Sequence, residues 1–177
     1  MNHTFAASYG RIRLGPLRPE EIENARVLRN KNRSGFTDAG LITPEAQRAW
    51  FSRYLAHPSE LMFSVYRADG GQWIGTAALF GIDTEHAYAE CGRFMIDKAR
   101  AREKGMGLEA VEAVCSIGFE ALHLERLRLS VYEDNLPAVK TYQRAGFREY
   151  GSARDSAGRK LLLMERRSRN GSGNDLQ

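Results

Sequence analysis

The chain reads as an α+β (α/β mixed) protein: one mixed, mostly antiparallel sheet with helices on its faces. Three features carry this reading. Strand-like segments follow one another over 61–96, with the hairpin signal Asp69-Gly70-Gly71 between the first two. After residue 96 the pattern changes to helix, strand, helix and two closing strands. Two helix starts precede the strand run, at Pro19 and at Thr43-Pro44. With 177 residues, 42% of them apolar and 27% charged, one domain with one sizeable core is the expectation.

The elements follow in order. Residues 1–10 read as a flexible leader. Over 11–17 polar and apolar residues alternate, with Ile12 and Leu14 facing inward, so a short strand is predicted. Pro19 opens a helix with Glu20 and Glu21 in its first turn, where acids suit the helix dipole; it fades near Asn30. Residues 31–40 are polar and glycine-containing and form a loop. Thr43 then caps a second helix with Pro44 at its first position, and Trp50, Phe51 and Tyr54 follow on it. The three strands of the meander are predicted over 61–67, 72–80 and 87–96. A helix follows over 105–122, with Leu108, Val111, Cys115, Gly118 and Leu122 along one side. Leu127, Leu129 and Val131 share one face of a strand over 126–132. The helix over 135–145 ends at Gly146, with Phe147 packing back on it. Strands over 147–153 and 160–165 close the domain, and the polar, glycine-rich residues 167–177 read as a disordered tail.

Several function classes are excluded as first readings. No apolar run is long enough to cross a bilayer, and the first residues lack the apolar stretch of a signal peptide. Cys91 and Cys115 form no metal-binding spacing, so no metal is expected; they suit a reducing, cytoplasmic compartment. Lys and Arg exceed Asp and Glu by only 26 − 22 = 4, too few for a histone-like nucleic-acid binder but compatible with an anionic ligand.

The most informative segment is Arg102-Glu103-Lys104-Gly105-Met106-Gly107, between a strand and a helix start. Glycines let the backbone approach a ligand, and the free N–H groups of a helix N-terminus point at an anion. Lys98, Arg100, Arg102 and Lys104 surround this spot. The segment is neither a Walker A loop nor a complete dinucleotide fingerprint, and taken alone it equally describes a tight turn with solvated basic residues. A second segment follows the next strand: Asn135-Leu136-Pro137-Ala138-Val139-Lys140-Thr141-Tyr142-Gln143-Arg144-Ala145-Gly146-Phe147.

Together these two segments resemble the GNAT (GCN5-related) N-acetyltransferase superfamily. Residues 102–107 are similar to its Q/R-x-x-G-x-G/A acyl-CoA motif, and Asn135, Tyr142, Gly146 and Phe147 to its NxxAxxxYxxxGF signature. The resemblance spans roughly residues 11–165 and implies a GNAT fold, with six to seven strands flanked by about four helices in a single domain over 11–166. It implies acetyl-CoA as co-substrate and acetyl transfer by direct attack in a ternary complex. Backbone groups of Phe94, Met95 and Ile96 would pair with the pantetheine amides. Arg102, Glu103, Lys104, Gly105, Met106, Gly107 and Leu108 would hold the pyrophosphate. Asn135 would contact the CoA arm as well as cap its helix. Tyr142 would contact the cofactor and act as general acid toward the leaving thiolate.

Glu90 shares a strand face with Tyr88 and Gly92 by two-residue alternation, and a carboxylate there suits a general base working through water; it equally suits a salt bridge at the strand edge. Several protein-acetylating GNAT enzymes carry a carboxylate where this chain has Ser130, so the analogy to them is weaker. His86 and His123 carry no signal beyond surface histidines.

The acceptor pocket of this fold is built by the first two helices and their loop. Arg29, Asn30, Arg33, Phe36 and Trp50 are the candidates, with Lys31 and Phe51 beside them. Arginines next to aromatics suit an anionic, partly planar acceptor such as an amino-sugar nucleotide. The same residues also read as helix core plus solvated charges. The expectation is an N-acetyltransferase of a small-molecule amine, as monomer or homodimer, with no nucleic-acid or membrane partner. The alternatives are an Nα-acetyltransferase of protein N-termini, similar to the ribosomal-protein alanine acetyltransferases, and a non-catalytic acyl-CoA-sensing module.

Overall fold

The structure, a computed structural model, describes residues 2–169. The chain runs through β1 (Ala7–Tyr9), β2 (Ile12–Pro16), α1 (Ile22–Lys31), α2 (Pro44–Tyr54), β3 (Glu60–Arg67), β4 (Trp73–Asp83), β5 (Tyr88–Ile96), α3 (Lys98–Ala101), α4 (Met106–Ser116), β6 (Arg126–Tyr132), α5 (Leu136–Arg144), β7 (Arg148–Arg154) and β8 (Lys160–Arg167). The strands form one eight-stranded sheet in the order β1-β2-β3-β4-β5-β6-β8-β7. Every neighbouring pair is antiparallel except β5 and β6. This is the α+β fold the sequence predicts.

Local chemistry explains the boundaries. Thr43 caps α2 by accepting from the Ala46 N–H at 3.2 Å, and Pro44 takes the first helical position. Gly70 and Gly71 both have positive φ in the β3–β4 turn, the conformation a two-residue hairpin needs. Gly146, at φ +83°, ends α5, and the Phe147 N–H returns to the Tyr142 carbonyl at 3.0 Å.

Alternation along the strands divides the apolar residues between two cores. On one face Leu28, Phe51 and Tyr54 of α1 and α2 pack with Met62, Tyr66, Trp73, Ala78 and Met95. On the other, Val111, Val114, Val139 and Phe147 pack with Phe63, Val65, Leu79, Cys91, Leu127 and Leu129. Each such side chain, once fully buried, contributes about 1.5–3 kcal/mol.

Five expectations need correction. The sheet has one strand more than the six to seven expected, because residues 7–9 pair with residues 12–14 as β1. Residues 1–10 are therefore not a loose leader within the described part: His3 is buried, and its Nε2 lies 3.0 Å from the Met62 carbonyl. The Asn2 side-chain amide also donates to the carbonyls of Tyr54, His57 and Glu60. A fifth helix, the single turn α3, forms because the Asp97 carboxylate accepts from the Ala99 and Arg100 N–H groups. The helix predicted over 105–122 is regular only to Ser116 and then widens into a π-type turn over residues 117–121, where Gly118 lies against Leu127. Of the predicted tail, Arg167 completes β8 and the Ser168 N–H donates to the Glu125 carbonyl at 2.8 Å; residues 170–177 lie outside the described residues.

One irregularity positions the site. β5 and β6 pair only through Tyr88 with Arg126, Ala89 with Leu127 and Glu90 with Arg128. Beyond these, residues 91–96 of β5 stay with β4 while residues 129–132 of β6 stay with β8, so the sheet opens into a wedge. A bulge adds to the divergence. Between Ala78–Gly92 and Thr76–Met95 pairing, Arg93 and Phe94 together oppose Ala77, and Arg93 turns to φ +53°. The Thr76 hydroxyl holds the bulge by donating to the Arg93 carbonyl at 3.2 Å.

Candidate active site

A cavity of about 710 Å³ fills the wedge and passes through the sheet. On the α1/α2 face it is walled by Phe80, Glu90, Gly92, Ser130, Lys31 at the end of α1 and the loop carrying Ser34, Phe36 and Thr37. On the α4/α5 face it is walled by Cys91, Phe94, Val131, Asn135, Ala138 and Tyr142. The faces follow from alternation. A Cβ on Gly92 would meet the Phe80 ring at 3.2 Å, so Glu90, two residues before, points the same way. Phe94 and Tyr142 pack instead against the opposite core, with ring centroids 5.9 Å apart. Glu90 and Tyr142 thus flank the opening from opposite sides of the sheet.

Their surroundings differ. Tyr142 packs edge-on against Phe147, and burial pushes its phenol far above the ordinary value near 10, with neighbouring Cys91 adding to the shift. The phenol therefore keeps its proton at any working pH. Glu90 is exposed, and among the described residues no ion pair or hydrogen bond engages its carboxylate. Burial likewise pushes the Cys91 thiol well above its usual range and Cys115 up to about 12, so neither is a ready thiolate nucleophile.

Asn135 does two things at once. It lines the cavity, and its Oδ1 accepts from the Ala138 N–H at 3.4 Å as the α5 cap. Phe94, Met95 and Ile96 line the cavity from β5. The residues over 102–108 do not line it; they follow Ile96 by the single turn of α3. Arg102 takes φ +63° as the cap of that turn, and Gly105, at φ +95°, precedes α4. Among the described residues nothing accepts from the backbone N–H groups of Gly105, Met106 or Gly107, and a Cβ on Gly107 would meet nothing within 4 Å. Unpaired amides with open space at Gly107, and with Lys98, Arg102 and Lys104 exposed around them, fit a diphosphate. The side chain of Met106 belongs to the core, and the Leu108 N–H is already bound to the Gly105 carbonyl.

Of the acceptor-side candidates, Phe36 and, beside it, Lys31 line the cavity. Arg29 stacks 3.9 Å from the Phe36 ring centre and donates to the Asp38 carbonyl; its NH1 nitrogen is buried without a hydrogen-bond partner. Asn30 exchanges two hydrogen bonds with the backbone of Ile42, both at 2.9 Å, and so braces the loop from outside the cavity wall. Arg33 is exposed. Trp50 stacks on Tyr54 with ring centroids 5.5 Å apart and packs on the α1/α2 core.

Sequence reasoning does not find two cavity groups, Arg93 and Arg159. Arg93 reaches the site through the bulge, pairs with Glu60 and lies 5.1 Å from the Phe80 ring centre. Arg159, from the β7–β8 turn, donates to both oxygens of Asp134, at 3.1 and 2.7 Å, and to the Ser34 carbonyl at 2.9 Å. No local pattern marks either arginine, because its place comes from tertiary approach. Among the described residues no group of three or more His, Cys, Asp or Glu is placed to hold a metal ion. No helix among them is long and apolar enough to cross a membrane.

Comparison with known proteins gives a consistent result. The family described as Acetyltransferase (GNAT) domain matches residues 11–148. The chain is 30% identical over 152 residues to the probable N-acetyltransferase YjcK of Bacillus subtilis (strain 168), covering 81% of this chain and 83% of that protein. The spermidine N-acetyltransferase from Vibrio cholerae, in complex with CoA and spermine, superposes with a TM-score of 0.79 at 22% identity, covering 89% of this chain and 95% of that one. Apo FdhC, a nucleotide-linked sugar GNAT, also superposes with a TM-score of 0.79, at 17% identity, covering 93% and 91%.

Proposed function

Since the chain belongs to the GNAT acetyltransferase family and is an acetyl-CoA-dependent N-acetyltransferase, we propose that its acceptor is a primary amine on a small molecule that also carries an anionic group, such as an amino-sugar nucleotide. One observation carries this reading: the charge inventory of the cavity. Of its charged wall residues, Arg93 is paired with Glu60 and Arg159 with Asp134. That leaves Glu90 and Lys31, which no ion pair engages among the described residues. One free acid and one free base complement an ammonium and an anion on the same molecule. A polyamine, with several cations, would meet a single free carboxylate and an opposing lysine.

The division of labour follows from the two faces. The unpaired amides at the start of α4 and the backbone of residues 94–96 anchor acetyl-CoA with its thioester in the opening. Glu90 takes a proton from the bound ammonium through a water molecule, leaving an amine that attacks the acetyl carbon directly. Tyr142, from the other face, donates a hydrogen bond to the sulfur as the C–S bond breaks. A thiol ordinarily ionises near 8.5, so complete transfer of a proton from a phenol raised this far is uphill. Tyr142 therefore stabilises the developing thiolate by hydrogen bonding and stays neutral, and the thiolate takes up the proton that the amide nitrogen loses as the C–S bond breaks.

Thiol release from acetyl-CoA, measured across amino-sugar nucleotides, aminoglycosides, polyamines and peptide N-termini, tests the acceptor. The expected result is the highest kcat/KM for an amine that carries an anionic group, with KM for that acceptor raised by Lys31→Ala. Faster turnover of spermine or spermidine would overturn this reading. Turnover of peptide N-termini alone would support protein Nα-acetylation in its place.

A further inference from the structure

We propose that Arg11 is a positioning residue for acetyl-CoA: from the β1–β2 turn it binds the two carboxylates beside the phosphate-facing loop, Glu103 and Glu109, offsets part of their charge, and fixes the backbone of that loop. The inference rests on the reading of residues 102–108 as the pyrophosphate-binding segment.

The loop has an electrostatic problem of its own. Glu103 lies within it, and Glu109 lies in the first turn of α4. Carboxylates there compete with a diphosphate for the positive end of the helix and repel it. Arg11 answers both. Its backbone N–H donates to Glu109 Oε2 at 2.7 Å and its Nε to Glu109 Oε1 at 2.9 Å, with NH2 also on Glu109. NH1 bonds Glu103, and NH2 donates to the Lys104 carbonyl at 3.0 Å. The Lys104 carbonyl, next to the free amide of Gly105, is thereby held by Arg11. Gly10, at φ +55°, makes the approach possible, since a Cβ there would lie 2.7 Å from Glu109 Oε2. A second arginine holds the preceding turn: Arg67 donates to the Ala101 carbonyl at 3.0 Å, and the next residue, Ala68, donates its N–H to the Arg11 carbonyl at 2.8 Å. One end of the sheet thus fixes two carbonyls of the 101–104 segment. The forked guanidinium matters, because a lysine ammonium cannot reach Glu103, Glu109 and a carbonyl together.

The test compares two acetyl donors, acetyl-CoA and S-acetylpantetheine, which lacks the diphosphate. In Arg11→Gln, KM for acetyl-CoA should rise about tenfold, the loss expected for charge-assisted hydrogen bonds. Its kcat and its KM for S-acetylpantetheine should stay within about twofold of the parent values. Arg11→Lys should restore only part of the loss. Glu103→Gln, at a half-exposed site, should lower KM for acetyl-CoA and make it more salt-sensitive, because the loop loses one negative charge while Arg11 stays paired with Glu109. Equal effects on both donors, or an unchanged KM for acetyl-CoA in Arg11→Gln and Glu103→Gln alike, would overturn the role of Arg11. Failure of the underlying reading looks different: the unmodified protein would then use both donors with the same KM.

Discussion

At the scale of single residues, Tyr142 and Gly75 show two ways in which one side chain governs the site. In the proposed mechanism the Tyr142 hydroxyl would act as charge develops on the leaving sulfur, while its ring packs on Phe94 and Phe147. Tyr142→Phe keeps the ring and removes the donor. The expected outcome is a fall in kcat of about 100-fold, the usual cost of one preorganised donor to a developing anion, with KM for acetyl-CoA nearly unchanged. A kcat within about twofold of the parent enzyme in a thiol-release assay would remove Tyr142 from the mechanism. Gly75 acts through space. A Cβ there would lie 1.9 Å from the Met95 carbonyl, so β4 and β5 approach more closely than any side chain allows. Gly75→Ala should cost about 1–3 kcal/mol by overpacking, read as a lower urea midpoint, and should raise KM for acetyl-CoA because the displaced strand walls the cavity. The candidacy of Tyr142 comes from the resemblance of Asn135, Tyr142, Gly146 and Phe147 to the GNAT signature. The role of Gly75 is not legible in the sequence, since its partner atom lies on another strand.

At the scale of elements, the N-terminal segment is the main departure from the sequence reading. Residues 7–9 lack both apolar alternation and β-branched content, so nothing local marks them as a strand; β1 exists because β2 offers it an edge. His3 follows the same logic. A lone histidine near a chain start reads as solvated, yet here it packs on Phe63 with ring centroids 4.9 Å apart. Its burial lowers its pKa from the ordinary value near 6.5, only partly offset by the hydrogen bond to Met62. The folded state thus binds this proton less readily than the unfolded state. The stability contributed is present above pH 6.5 and is lost as pH falls through the depressed folded value. Thermal melts between pH 7.5 and 5 should show a fall in Tm that His3→Gln reduces. An identical slope in both proteins would mean that other groups dominate the acid limb. Helices were more legible than this segment because their caps are local. Thr43, Asn135 and Gly146 mark ends within a few residues of sequence, whereas α3 depends on Asp97 folding back over its own next turn.

At the scale of the whole molecule, the sheet is two parts, β1–β5 and β6–β8, joined edge to edge by three residue pairs at the narrow end of a wedge. The motifs of the sequence lie one on each side of it: residues 102–107 follow β5, and residues 135–147 follow β6. Their order in the chain is legible, but the opening between them is not, because strand divergence depends on the bulge at Arg93 and on which edges each strand keeps. A ligand seated in the opening touches both parts and so stabilises their junction beyond its contacts with either. Acetyl-CoA at 100 times its Kd should stabilise the fold by about 2.7 kcal/mol, a rise in Tm of roughly 5–11 °C for a chain of this size. ADP offers the diphosphate without the pantetheine arm and reaches only the loop. At matched saturation relative to its own Kd it should raise Tm comparably, because mass action sets that shift, but it should leave amide exchange in residues 91–96 of β5 unchanged. Acetyl-CoA should slow exchange there and in residues 129–132 of β6, since in the proposed binding mode the arm occupies the wedge between them. If ADP protects both segments as fully as acetyl-CoA does, the protection reflects general tightening around the loop, and the wedge is not where the thioester lies.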